Sequence, residues 1–220
     1  MSPVFSQIYD HYHQQYPPLN EIGKSPHLRE TFIGRGKSII VETIIKNDLR
    51  NLLEIGSFLG SSIDFWFNSC PKIQIVAVDP LKGGWAGNHL QKLRYNDSCL
   101  LSLDEPEIAY LNSEQGLYQT FLRNMLMYKN RLVLLRKESE TAIAELKSFE
   151  YKPDIIFLDA DKKYSTLEFL YNSFPESILC GDDYRYKDFN HDIIMRDNVS
   201  KLANMYDRSV RFYLDTWVIE

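Results

Sequence analysis

The chain has 220 residues, 44% of them apolar and 13% aromatic, which is enough for one packed core and excludes a disordered chain. Its 25 basic against 30 acidic residues leave a net charge of −5, so the phosphate attraction behind nucleic-acid affinity has no source in the overall charge. Cys70, Cys99 and Cys180 are odd in number and lack CxxC spacing, which argues against a disulfide framework or zinc site and suits a reducing compartment. With no basic-then-apolar leader and no run of roughly 20 apolar residues, the cytoplasm is the expected location and a membrane partner is not expected.

Residues 1–27 form an aromatic-rich extension. His11 and His13 within it read as surface or interface packing, which makes a second copy of the chain a candidate partner. Tyr9, Tyr12, Tyr16 and Trp85 are candidates for a substrate pocket, although aromatic side chains more often serve packing. Leu28 to Lys46 carries Ile33, Ile40, Ile44 and Ile45 at helical spacing and ends at Asn47 and Asp48, which predicts a helix. Asn51 to Ile55 is a short apolar run ending in glycine, and Ser61 to Asn68 follows with a buried helix face, giving strand, tight turn, helix. Ile73 to Val78 is β-branched and uninterrupted, as in a strand covered on both faces, and stops at Asp79 and Pro80. Arg131 to Leu135 and Asp154 to Leu158 repeat the pattern with a helix over Ser139 to Phe149 between them. Ser177 to Cys180 is a further strand, and Val210 to Leu214 with Thr216 to Ile219 closes the sheet as an antiparallel pair. The alternation predicts an α/β fold with a mostly parallel sheet, occupying residues 28–220 as one domain. Lys82 to Asn112 breaks the rhythm and reads either as a lid or substrate loop or as a helical decoration.

In open parallel sheets ligands bind outside the carboxyl ends of the strands, so chemistry-bearing residues belong just after them. The first strand runs into LLEIGSFLGSS, with Glu54, Gly56 and Gly60 spaced E-x-G-x-x-x-G. Gly56 and Gly60 permit a sharp turn and close backbone approach to a ligand. The spacing is neither the dinucleotide G-x-G-x-x-G nor a P-loop, which argues against NAD and ATP. Asp79 ends the second strand and is placed to accept hydrogen bonds from both hydroxyls of a ribose.

On these residues the chain resembles the class I S-adenosylmethionine-dependent methyltransferases, from about Leu28 to the C-terminus. The resemblance implies a Rossmann-like doubly wound sheet and S-adenosylmethionine as cofactor. It also implies that Glu54, Gly56, Ser57, Phe58, Gly60 and Ser62 contact the amino-acid part of that cofactor and that Asp79 holds its ribose. Glu138 and Ser139 fall where such enzymes contact the adenine, with Ser139 equally readable as a helix N-cap.

PDIIFLDAD delivers Asp159 to the same sheet edge, and SILCGDD delivers Asp182 and Asp183. Carboxylates brought so close resist ionisation unless a cation sits among them, and a hard ion with oxygen ligands, Mg²⁺, resolves the conflict. Helix capping in solvent is the competing reading for Asp161, Asp182 and Asp183. The D-A-D-K motif and later acidic pair resemble the metal-dependent O-methyltransferases of the catechol and caffeoyl-CoA type. That resemblance implies metal ligation by Asp159 and Asp182 and a catalytic general base at Lys162. Asp183 stands where the catechol type has asparagine and matches the Asp-Asp-Tyr ending of the macrocin and sugar O-methyltransferase group. The segment between Asp159 and Asp182 is shorter than in those relatives, and their Gly-Gly before the last strand is missing. Three functions follow: an Mg²⁺-dependent O-methyltransferase for a hydroxylated small molecule, a metal-independent N- or O-methyltransferase, and a non-catalytic S-adenosylmethionine-binding protein.

Overall fold

The computed structural model describes residues 2–13, 36–82, 105–185 and 194–220. In chain order these form α1 (Pro3–His13), α2 (Ser38–Lys46), β1 (Asn51–Ile55), α3 (Ser61–Ser69), β2 (Gln74–Val78), α4 (Glu105–Asn112), α5 (Glu114–Met125), β3 (Leu132–Leu135) and α6 (Ser139–Ser148). They continue with β4 (Ile155–Leu158), α7 (Tyr164–Ser173), β5 (Ile178–Gly181), α8 (Ile194–Met205), β6 (Val210–Tyr213) and β7 (Thr216–Ile219).

The strands form one seven-stranded sheet in the order β3-β2-β1-β4-β5-β7-β6. β1 to β5 are parallel, and β7 pairs antiparallel with both β5 and β6. This is the expected doubly wound α/β architecture with its closing antiparallel pair. The order reverses between β1 and β4, which opens a crevice at their carboxyl ends.

Period-two alternation divides each central strand between two cores. Leu52, Ile75, Leu134 and Phe157 pack under α2, α3, α4 and α5. Leu53, Val76, Val133 and Ile156 pack under α1, α6, α7 and α8. The layers are therefore helix, sheet, helix. The strands are buried on both sides, which is why their sequences are apolar throughout rather than alternating.

Two expectations need correction. The helix over Leu28 to Lys46 begins at Ser38, because Gly36 turns the chain at φ +119°; Ile33 lies outside the described residues. Within that helix Ile40, Thr43 and Ile44 face the core, while Ile45 is rotated away from them and is 64% exposed. Of the interruption at Lys82 to Asn112, residues 105–112 are helical, and 83–104 with Trp85 lie outside the described residues, as do Tyr16 and Cys99. Helices α5, α7 and α8 went unread in the sequence.

Helix α1 is part of the core. Phe5, Ile8 and Tyr12, spaced along one face, are buried, and the Tyr12 hydroxyl bonds Glu145 of α6. Tyr12 is thus a packing residue rather than a pocket wall, and His11 lies against the Tyr12 and Phe149 rings. Cys70 and Cys180 are free and buried. No described helix is long and apolar enough to cross a membrane. Because Phe5 is fully buried, Phe5→Ala should cost about 3–5 kcal/mol of unfolding free energy. Urea denaturation followed by circular dichroism measures this, and a loss below about 1 kcal/mol would mean that α1 is not built into the core.

Candidate functional site

The turn after β1 lies against the end of β4. A Cβ on Gly56 would come within 2.3 Å of the Asp159 carbonyl oxygen, and Gly56 adopts φ +86°, so both space and backbone require glycine. Ser57 and Phe58 follow at the crevice, Phe58 with a left-handed φ of +45°. Asp79 organises this turn. Its Oδ2 accepts the backbone N–H groups of Ser57 at 2.8 Å and Phe58 at 2.9 Å, and its Oδ1 accepts that of Leu81 at 2.8 Å. A carboxylate offers about four acceptor positions, so these three bonds leave capacity on Oδ1. The Ser57 hydroxyl is buried and has no hydrogen-bond partner among the described residues.

Glu54 and Ser62 do not face the crevice. Glu54 is fully buried, with Ser62 Oγ and Trp66 Nε1 each donating to one of its oxygens at 2.8 Å. Ser62 and Trp66 are four residues apart and share one face of α3, so the carboxylate pins that helix behind the turn. Gly60, at φ +84°, is turned toward α5, where an added Cβ would meet Met125 at 2.7 Å, so the missing side chain makes room for that packing.

At the end of β3, Glu138 is exposed and pairs with Lys82 at 2.6 Å. Glu138 is also the N-cap residue of α6, and Ser139 is its first residue rather than the cap.

Asp159 follows β4, and Asp182 and Asp183 follow β5, its neighbour in the sheet. They meet at one edge as expected, but lysines come with them. Lys162 Nζ is 2.5 Å from Asp183 Oδ2, 3.8 Å from Asp159 Oδ1 and 3.0 Å from the Ala160 carbonyl. Lys37 Nζ is 3.9 Å from Asp182 Oδ2 and lies over the rings of Phe157 and Trp66. Among the described residues no three histidine, cysteine, aspartate or glutamate side chains are arranged to hold a metal ion. Asp159, Asp182 and Asp183, which the resemblance groups as metal ligands, stand here in a mixed cluster of carboxylates and ammoniums. Asp161 stands apart, with Lys163 as its partner.

Lys37 was not singled out in the sequence. The only signal was Gly36 before it, where a Cβ would come within 2.2 Å of the Tyr213 carbonyl oxygen. That contact seats Lys37 beneath the sheet edge, 4% exposed.

The surroundings set the acidity of two groups. Burial pushes the Glu54 carboxyl up to about 7 against the opposing pull of Ser62, Lys37 and Trp66. Burial likewise raises Asp182 to about 6, with Lys37 lowering it and Asp159 and Asp183 adding to the rise.

No family model matches this chain, and no curated protein matches it. Solved structures do. It is similar to a Staphylococcus aureus protein assigned as a caffeoyl-CoA O-methyltransferase, at 16% identity, over 98% of each chain, with a TM-score of 0.54. It is also similar to the O-methyltransferase TomG from Streptomyces achromogenes, solved with S-adenosylmethionine, at 10% identity, over 100% of this chain and 89% of that one, with a TM-score of 0.51. The chain has the methyltransferase fold. At such identities the likeness is one of architecture, and in this fold the crevice at the β1–β4 reversal is the ligand-binding edge.

The folded-state value for Glu54 lies above the usual 4.5, so the folded chain retains a proton that the unfolded chain releases. The stability this contributes is fully present below about 4.5 and is lost as pH rises through about 7. Between about pH 5 and pH 8, wild type should therefore lose more stability than Glu54→Gln, as read from urea midpoints; parallel curves would contradict the buried, protonated carboxyl.

Proposed function

We propose that this chain is an S-adenosylmethionine-dependent methyltransferase acting on a hydroxyl of a small molecule. The observation that carries the reading is the glycine turn at the strand-order reversal, braced by Asp79, with the buried Ser57 hydroxyl left without a partner. An orphaned buried hydroxyl is costly, and a bound ligand's polar group would satisfy it. The remaining acceptor capacity of Asp79 Oδ1 suits a ribose hydroxyl. Gly56 lets the backbone come close to the ligand, and Glu138 and Ser139 form the adenine side in this reading.

S-adenosylmethionine, when bound, supplies a methyl group on a positively charged sulfur. The chain's residues hold the acceptor in line behind that methyl, since alignment contributes much of the rate in such a displacement. As the oxygen–carbon bond forms, the carbon–sulfur bond breaks and its electron pair stays on sulfur. The hydroxyl proton passes to a carboxylate of the Asp159, Asp182 and Asp183 cluster and then to solvent. Lys162 orients the acceptor oxygen in this reading and, being held by two carboxylates, is not assigned the role of base.

Magnesium does not fit the donor set. The ion takes oxygens at about 2.0–2.1 Å in an octahedron, and an ammonium 2.5 Å from Asp183 occupies the space and satisfies the charge that such an ion would require. The metal-independent reading is favoured on that observation.

Calorimetric titration with S-adenosylmethionine should give saturable micromolar binding, and Asp79→Ala should weaken it by about tenfold or more, the equivalent of one charge-assisted hydrogen bond. Transfer of labelled methyl to one or more members of a hydroxylated panel would establish turnover. Absence of cofactor binding by wild type would overturn the proposal, and binding with no transfer to any acceptor would leave a non-catalytic binding protein.

A further inference from the structure

We propose that Lys37 and Lys162 are built-in counter-cations that hold the Asp159, Asp182 and Asp183 cluster in place of a divalent metal ion. The inference takes its chemistry from the methyltransferase reading above, but its electrostatics stand on the ion pairs alone.

The chain itself delivers both lysines. Lys162 follows Asp159 by three residues, and its ammonium has three donors and three acceptors around it, on Asp183, Asp159 and the Ala160 carbonyl. Asp183 is held at φ +62°, a backbone state that a residue with a Cβ adopts at a cost, and in that state its carboxylate meets Lys162. Lys37 comes from the other side of the sheet edge. The Gly36 turn lies hard against the Tyr213 carbonyl and the Thr216 side chain, and Lys37 follows it directly. There it is nearly sealed from solvent, with Asp182 as its ion-pair partner and the faces of Phe157 and Trp66 on its flank. The other oxygen of Asp182 accepts the Thr216 hydroxyl at 3.4 Å.

Among the described residues, three carboxylates and two ammoniums meet at this edge. The two lysines also differ in access. Lys37 is buried, so it acts as a positioning residue that fixes Asp182, whereas Lys162 is 19% exposed.

Manganese, used as a paramagnetic probe, separates the possibilities. Free Mn²⁺ is followed by electron paramagnetic resonance during titration of the full chain, without cofactor. Wild type is expected to show no saturable site in the micromolar range. Lys162→Met removes one ammonium from beside Asp159 and Asp183 and should bind Mn²⁺ at least about tenfold more tightly, whereas Lys162→Arg keeps the charge and should behave as wild type. Thermal melts identify any variant that fails to fold, and the wild-type arm stands without them. Micromolar Mn²⁺ binding by wild type that Asp159→Asn abolishes would overturn the proposal. A folded Lys162→Met with no gain would overturn it as well, because the carboxylates would then not form one site with that lysine. Cofactor titration in a separate cell reports on the methyltransferase reading, so either idea can fail while the other stands.

Discussion

The carbonyl oxygen of Asp159 lies where a side chain on residue 56 would have to begin, so the loop after β1 and the end of β4 touch only because residue 56 is glycine. From that contact the rest of the carboxyl edge follows. The turn carries Ser57 and Phe58 to the mouth of the crevice, where their N–H groups meet Asp79 at the end of the neighbouring strand. It also sets Asp159 beside the loop that would cradle a ligand. Any larger residue at position 56 would push the two strand ends apart and open the site from its base.

Behind the turn, polar groups are used for architecture. Glu54 sits next to the last residue of β1 with no solvent contact, and its cost of burial is offset by Ser62, Trp66 and the nearby positive charge of Lys37. Such a group ties strand, helix and the segment before β1 to a single arrangement. Trp217 plays a comparable part on the other side of the crevice, since its indole N–H donates to the Asp182 carbonyl at 2.9 Å and holds the end of β5. The acidic residues are therefore presented by a frame that is itself hydrogen-bonded and largely dry.

At that edge the D-A-D-K motif brings the Lys162 ammonium between the carboxylates of Asp159 and Asp183. A diffusible ion is bound only as concentration allows, whereas a lysine on the same chain is present at fixed stoichiometry and fixed geometry. Such a cation costs side-chain entropy and, for Lys37, desolvation, and both are offset by carboxylate partners and aromatic faces.

The strands, their parallel arrangement and the antiparallel ending were legible in the sequence, because buried β-branched runs and glycine turns are local signals read from neighbouring residues. The positions of Gly56, Asp79 and Asp159 at one edge followed from the same pattern, since parallel strands must all present their carboxyl ends on one side. Helices α5, α7 and α8 did not declare themselves, because their apolar faces are interrupted by polar and aromatic residues whose burial depends on what packs over them. Only the tertiary structure decided what the polar residues do. Glu54 and Ser62 turned inward to each other, and Lys37, 145 residues before its partner Asp182 in the chain, arrived beside the acidic cluster. Pairing between charges so far apart in sequence leaves no local pattern, because it is set by the order of strands in the sheet and by the backbone that the glycines allow.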